Sequence, residues 1–171
     1  MNDNTSDLPQ NTAIWQPIDN VDKFCFACGH LNAHGLHMKF ESDRESLRST
    51  LTLQPHFRGW SNLIHGGIIS TILDETMSWT VLKLARKLML TKGMEVQFVR
   101  PVRVGMTVTV SGRIEEWMSK RKVKVIAELT DESGTLCASS TGEFALFEKA
   151  HFLRMGIMPE EDIDAMLAII S

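Results

Sequence analysis

The sequence predicts an α+β protein in which an antiparallel sheet packs around one central helix. Two observations carry the prediction. A single long helical pattern runs from Gly66 to about Lys87. Alternating apolar segments flank it, two before and three or four after, separated by short turn signals such as "RPVRVG" and "DESG". Runs of strands beside one helix make an α+β layer arrangement.

The elements follow in order. The opening "MNDNTSDLPQNT" is polar and acidic, and residues 1–22 read as a flexible or loosely docked tail. "CFACGHLNAHG", from Cys25 to Gly35, is rich in turn formers and reads as a loop. "LHMKFES" and "SLRSTLTLQ" alternate well enough for two strands across a charged turn, and "PHFRGWSNLIHGG" is a loop. Strands are expected at 88–100, 106–118, 122–131 and 135–147. "MPEEDIDAMLAII" reads as a short helix, with Pro159 in its first turn and Glu160, Glu161 and Asp162 complementing its dipole. The organisation is thus a tail (1–22), one domain (23–148) and a C-terminal helical extension (149–171).

Composition narrows the classes. A chain of 171 residues with 43% apolar content suits one domain with a sizeable core. A net charge of −3 carries no basic excess for nucleic acid. No apolar run reaches transmembrane length, and the polar start lacks the features of a signal peptide, so a cytoplasmic protein is expected. Three cysteines, an odd number, argue against a disulfide scaffold.

The long helix poses the functional question. At about 100° per residue, Ile69, Leu73, Met77 and Leu84 share one face. Ile68, Ile72, Trp79 and Leu82 form a second apolar stripe, and Ser70, Thr71, Asp74 and Ser78 a narrow polar strip. Such a helix is buried on most sides, by a curved sheet and by a second subunit. Asp74 lies on the polar strip; Glu75 lies on the Ile68 stripe and is the odder acid. The helix opens on His65-Gly66-Gly67. Helix N-termini present unpaired N–H groups and a positive dipole end, and glycines there let a substrate reach the backbone. That makes an oxyanion site for a polarised carbonyl, and an Asp can serve as nucleophile or as general base for water. Together these are the parts for acyl transfer.

"HGGIISTILDE" resembles the signature of the hotdog-fold acyl-CoA thioesterases of the PaaI-like type, with an Asp nine positions after the His (74 − 65 = 9). "TKGMEVQFVRPVRVG" resembles the strand that follows in that family, and "CFACGHLNAHGLHMKF" its N-terminal "CFxCGxxNxxGL" element. The resemblance spans roughly residues 24–147. It implies a hotdog fold, a sheet wrapped around one long helix, and hydrolysis of an acyl-CoA thioester. It also implies residue roles. The Gly66 amide would polarise the carbonyl and Asp74 would be the catalytic carboxylate, with Glu75 secondary. His65 would orient the thioester or shape the helix start, and Thr91, ten residues before Pro101, would hold the attacking water. Some members carry Asn or Gln six residues before the His, where this chain has Gly59; Asn62 is near but not aligned.

Gly67, Asn62, Met77, Trp79, Arg100 and Arg103 are the candidate substrate contacts. The two arginines suit the phosphates of coenzyme A, and the "SKRKVK" run is a weaker candidate for the same role. Cys25, Cys28, His30, His34 and His37 contain a C-x-x-C pair, but a second well-spaced pair is missing; the expected reading is a structured loop that caps the sheet, with no metal and no cofactor. Gly66 and Asp74 are eight residues apart (74 − 66 = 8), about 12 Å along a helix. They cannot meet at one carbonyl within one chain, whereas two antiparallel helices in a symmetric pair bring Gly66 of one beside Asp74 of the other. A homodimer or a dimer of dimers is therefore expected, without nucleic acid or membrane as partner. The alternatives to an enzyme acting on acyl-CoA are a non-catalytic acyl-CoA-binding protein on the same fold and, more remotely, a hotdog dehydratase.

Overall fold

In the computed structural model, residues 14–170 are described. Seven strands form one antiparallel sheet: β1 (Gln16–Ile18), β2 (Phe40–Ser42), β3 (Leu47–Thr52), β4 (Leu88–Phe98), β5 (Thr107–Ser119), β6 (Lys122–Asp131) and β7 (Leu136–Phe147). Their spatial order is β1-β2-β3-β5-β6-β7-β4. One long helix, α1 (Gly66–Thr80), continues through a wide π-type turn at Val81–Ala85. It packs against β3, β4, β5, β6 and β7. This is the hotdog fold, as the resemblance implies.

Period-two patterning builds the covering face. Val123, Val125, Ala127 and Leu129 of β6 are buried together with Val108 and Val110 of β5 and Phe144 of β7. Against them α1 lays Ile69, Ile72, Leu73 and Met77. Thr76 and Thr80 are also fully buried, which apolar periodicity does not predict. Their hydroxyls donate to the carbonyls four residues back, Ile72 O at 2.8 Å and Thr76 O at 2.7 Å, so neither leaves a polar atom unpaired. The helix comes so close to β5 here that a Cβ on Gly112 would lie 2.3 Å from Thr80 Oγ1.

The strand predicted at 122–131 has those bounds, and the others agree within a few residues. Two short elements escape sequence reading. β1 falls at the end of the segment read as a tail; it pairs with β2 across three residues, and the rest of that segment, 1–13, lies outside the described residues. The second is α2 (Lys149–Arg154), which precedes the expected C-terminal helix, α3 (Glu160–Ile169). Neither is long enough to establish a period. Phe152 and Ile163 of these helices enclose Leu88 in a small second core, and Lys149 pairs with Glu160 and Asp164. Pro159 sits one position before the first turn of α3, at its cap.

Candidate active site

The fold brings Asp74 and Thr91 together. Thr91 Oγ1 donates to Asp74 Oδ1 at 3.0 Å, from the edge strand β4 to the polar strip of α1. The register of β4 against β7 shifts between Thr91 and Gly93, so Lys92 is an extra residue in the ladder beside the contact. A bulge of this kind re-aims side chains next to it. Asp74 is half-buried; loss of hydration raises its carboxyl above the usual range, while the Thr91 hydrogen bond opposes the rise. A carboxylate with raised proton affinity is a stronger base.

The other end of α1 is arranged by His65. Its Nδ1 accepts from the Gly67 amide at 2.9 Å, capping the helix and leaving the ring proton on Nε2. The Ile68 and Ile69 amides close on the His65 carbonyl. Gly67 is thus committed to the cap, and the Gly66 amide, among the described residues, has no acceptor. The Phe98 ring lies beside it: a Cβ on Gly66 would sit 3.4 Å from that ring. Phe98 was not legible as a site residue, because its place over Gly66 depends on how β4 lies against α1.

Glu75 turns the other way. Its Oε1 accepts from Trp79 Nε1 at 3.0 Å, one helical turn on, and lies 3.6 Å from Cys25 Sγ. Burial pushes its carboxyl up to about 7. Cys25, Cys28 and Glu75 form a cluster whose ligand atoms all lie within 4.8 Å of one another. The Cys28 thiol's hydrogen bond and the backbone amides of Cys28 and Ala27 lower the Cys25 thiol, while that same bond and burial raise Cys28. His37 is held elsewhere, its Nε2 against the Asn32 carbonyl at 2.6 Å, and His30 and His34 stand outside the cluster.

The remaining candidates divide. Leu63 bridges to Arg103, so Asn62 and Arg103 flank the helix start, where Arg103 Nη1 donates to Asn62 Oδ1 at 3.0 Å. Arg100 is exposed and donates to the Leu136 carbonyl. Met77 and Trp79, by contrast, belong to the interior. Met77 is fully buried, and Trp79 stacks on Phe40 at 5.2 Å. Both are packed into the interior by α1. Of the "SKRKVK" run, Lys122 and Lys124 pair with Glu143 and Glu115, whereas Lys120 and Arg121 line, with Lys87 and His151, a cavity of about 420 Å³ at the end of β7.

Residues 61–141 match the family model described as "Thioesterase superfamily". Comparison with curated proteins gives no match. Among solved structures the fold is similar to that of RHA08564, described as a thioesterase superfamily protein, at a TM-score of 0.68 and 22% identity over 78% of this chain and 68% of that one. It is similar to the E. coli PaaI protein from the phenylacetic acid degradation operon at 0.59 and 16%, over 66% and 81%. A hypothetical thioesterase from Streptococcus pneumoniae solved with coenzyme A aligns at 0.57 and 13%, over 61% and 80%. Residues 61–141 are thus similar to the thioesterase superfamily, and the chain carries the hotdog fold that these solved structures share.

Proposed function

We propose that this protein is an acyl-CoA thioesterase whose general base is Asp74. The observation that carries the reading is the Thr91–Asp74 hydrogen bond on the helix that opens with an uncommitted Gly66 amide. The thioester carbonyl oxygen takes the Gly66 N–H at the helix N-terminus, where the dipole favours developing negative charge. Water held by Thr91 and Asp74 gives a proton to Asp74 as its oxygen attacks the carbonyl carbon. The tetrahedral oxyanion collapses, the C–S bond breaks, and the thiolate leaves with the proton from Asp74 to give a carboxylic acid and the free thiol. Arg103, beside the helix start, and the exposed Arg100 take phosphates of the coenzyme. The S. pneumoniae relative's bound coenzyme A supports the ligand class.

The reaction needs a second chain. β4 is an edge strand of eleven residues, and Leu90 and Phe98 on it are exposed. A long unpaired edge with apolar side chains is a pairing template. Joining two β4 edges about a two-fold axis sets the α1 helices antiparallel, so that Gly66 of one chain serves Asp74 of the other. Among the described residues no helix is long and apolar enough to cross a membrane; a cytoplasmic enzyme is the reading we adopt.

The test is thiol release across a panel of short, long and aromatic acyl-CoA esters. Wild type should hydrolyse at least one of them, and Asp74→Asn should not. Binding without turnover in both proteins would replace the enzyme by a non-catalytic acyl-CoA-binding protein.

A further inference from the structure

We infer that Cys25, Cys28 and Glu75 form a binding site for a divalent metal ion of the zinc type, clipping the N-terminal loop to α1. This departs from the metal-free reading of the sequence for a definite reason. The C-x-x-C pair lacks a second pair in sequence, and its third ligand comes from fifty residues away, on the helix.

Three features of the cluster point to a metal. The spacing fits: on a tetrahedral ion with metal–sulfur bonds near 2.3 Å and metal–oxygen bonds near 2.0 Å, a sulfur and an oxygen stand about 3.5 Å apart, and Cys25 Sγ lies 3.6 Å from Glu75 Oε1. The loop is shaped as a chelate. "CFACG" doubles back so tightly that the Gly29 amide donates to the Cys25 carbonyl at 2.9 Å, and a Cβ on Gly29 would lie 2.5 Å from Cys25 N, a place for glycine alone. Finally, the groups around the ligands hold them in place: Trp79 Nε1 fixes the Glu75 carboxylate, Asp22 Oδ1 takes the Cys25 amide, and Asn20 Nδ2 donates to the Cys28 carbonyl at 2.6 Å. Among the described residues, the half-buried Glu75 carboxylate has the Trp79 N–H and the cysteine thiols beside it but no paired cation. A divalent ion supplies that charge, and two thiolates select a borderline-soft metal over magnesium or calcium. Three protein ligands leave a fourth position for water.

The experiment uses tag-free, full-length protein, purified with reductant, stripped with chelator and titrated with Co(II) and Zn(II). Co(II) should develop a thiolate charge-transfer band and intense tetrahedral d–d bands that saturate at one ion per chain, and Zn(II) should displace it. Cys25→Ser and Cys28→Ser should abolish the bands. Glu75→Gln should weaken affinity at least tenfold, and His37→Ala should leave it unchanged. Should the cysteine variants fail to fold, wild type still decides: stoichiometric Zn(II) should slow alkylation of Cys25 at least tenfold. The inference is overturned if reduced wild type gives no thiolate–Co(II) band, if Zn(II) leaves Cys25 alkylation unchanged, or if Glu75→Gln binds as tightly as wild type. It is equally overturned if Cys25 and Cys28 prove to be a disulfide that persists under reductant. These readouts are independent of thioester turnover, so they stand or fall apart from the proposed hydrolysis.

Discussion

Asp74 is an acid on a helix that is otherwise mostly enclosed, and it accepts a hydrogen bond from Thr91. The resemblance singled out each residue separately; that the two side chains meet is a finding of the fold. The outward turn of Asp74 and the inward turn of Glu75 were legible from helical periodicity, but the destination of Glu75 was not, since Cys25 is distant in sequence. Two predictions belong at this scale. Asp74→Asn should lower kcat at least a hundredfold with KM little changed, because a general base typically contributes about 10²–10⁴-fold and the substrate contacts remain. Thr91→Val removes the hydroxyl while keeping the shape. It should lower kcat about tenfold, the equivalent of one hydrogen bond of about 1.4 kcal/mol, and Thr91→Ser should restore most of the loss. Steady-state thiol release measures both. His65 can be read through stability: His65→Ala loses the cap on the Gly67 amide and should cost about 1 kcal/mol by denaturant unfolding.

Among the elements, α1 was the most legible because it is long and strongly patterned, and β5 to β7 because each alternates over many residues. What periodicity could not reveal was the contact between them. Thr76 and Thr80 look like polar residues and are core residues, because their hydroxyls are satisfied within the helix and the Thr76 methyl and Thr80 Oγ1 lie against a strand that has been cut back to Gly112. Gly112→Ala tests that packing. The added carbon must displace Thr80 or push the helix from the sheet, and overpacking of this kind costs about 1–3 kcal/mol. The urea midpoint should fall accordingly, with an unchanged slope. An unaltered midpoint would mean that helix and strand are less closely packed than the 2.3 Å approach implies. The bulge in β4 was not read from the sequence, although Gly93, a glycine inside a strand, is the signal that could have marked it.

For the whole molecule, the proposed pair of chains rests on the distance along α1 between Gly66 and Asp74, and the fold adds the long exposed edge of β4. That edge could not be read from sequence because the spatial order of strands is not their chain order: β4 follows α1 in sequence yet ends beside β7. The account's central claim is that one thioester is held by Gly66 of one protomer and hydrolysed by Asp74 of its partner. Complementation tests it most directly. Gly66→Pro removes the amide donor and Asp74→Asn the base, and each homodimer, once shown to be folded, should be inactive. Mixed dimers carry both lesions in one site and neither in the other. Random reassociation of equal amounts makes half the dimers mixed, each with one intact site of two, so thiol release should return to about a quarter of wild type. Mixtures that demonstrably contain mixed dimers and yet stay inactive would contradict the account.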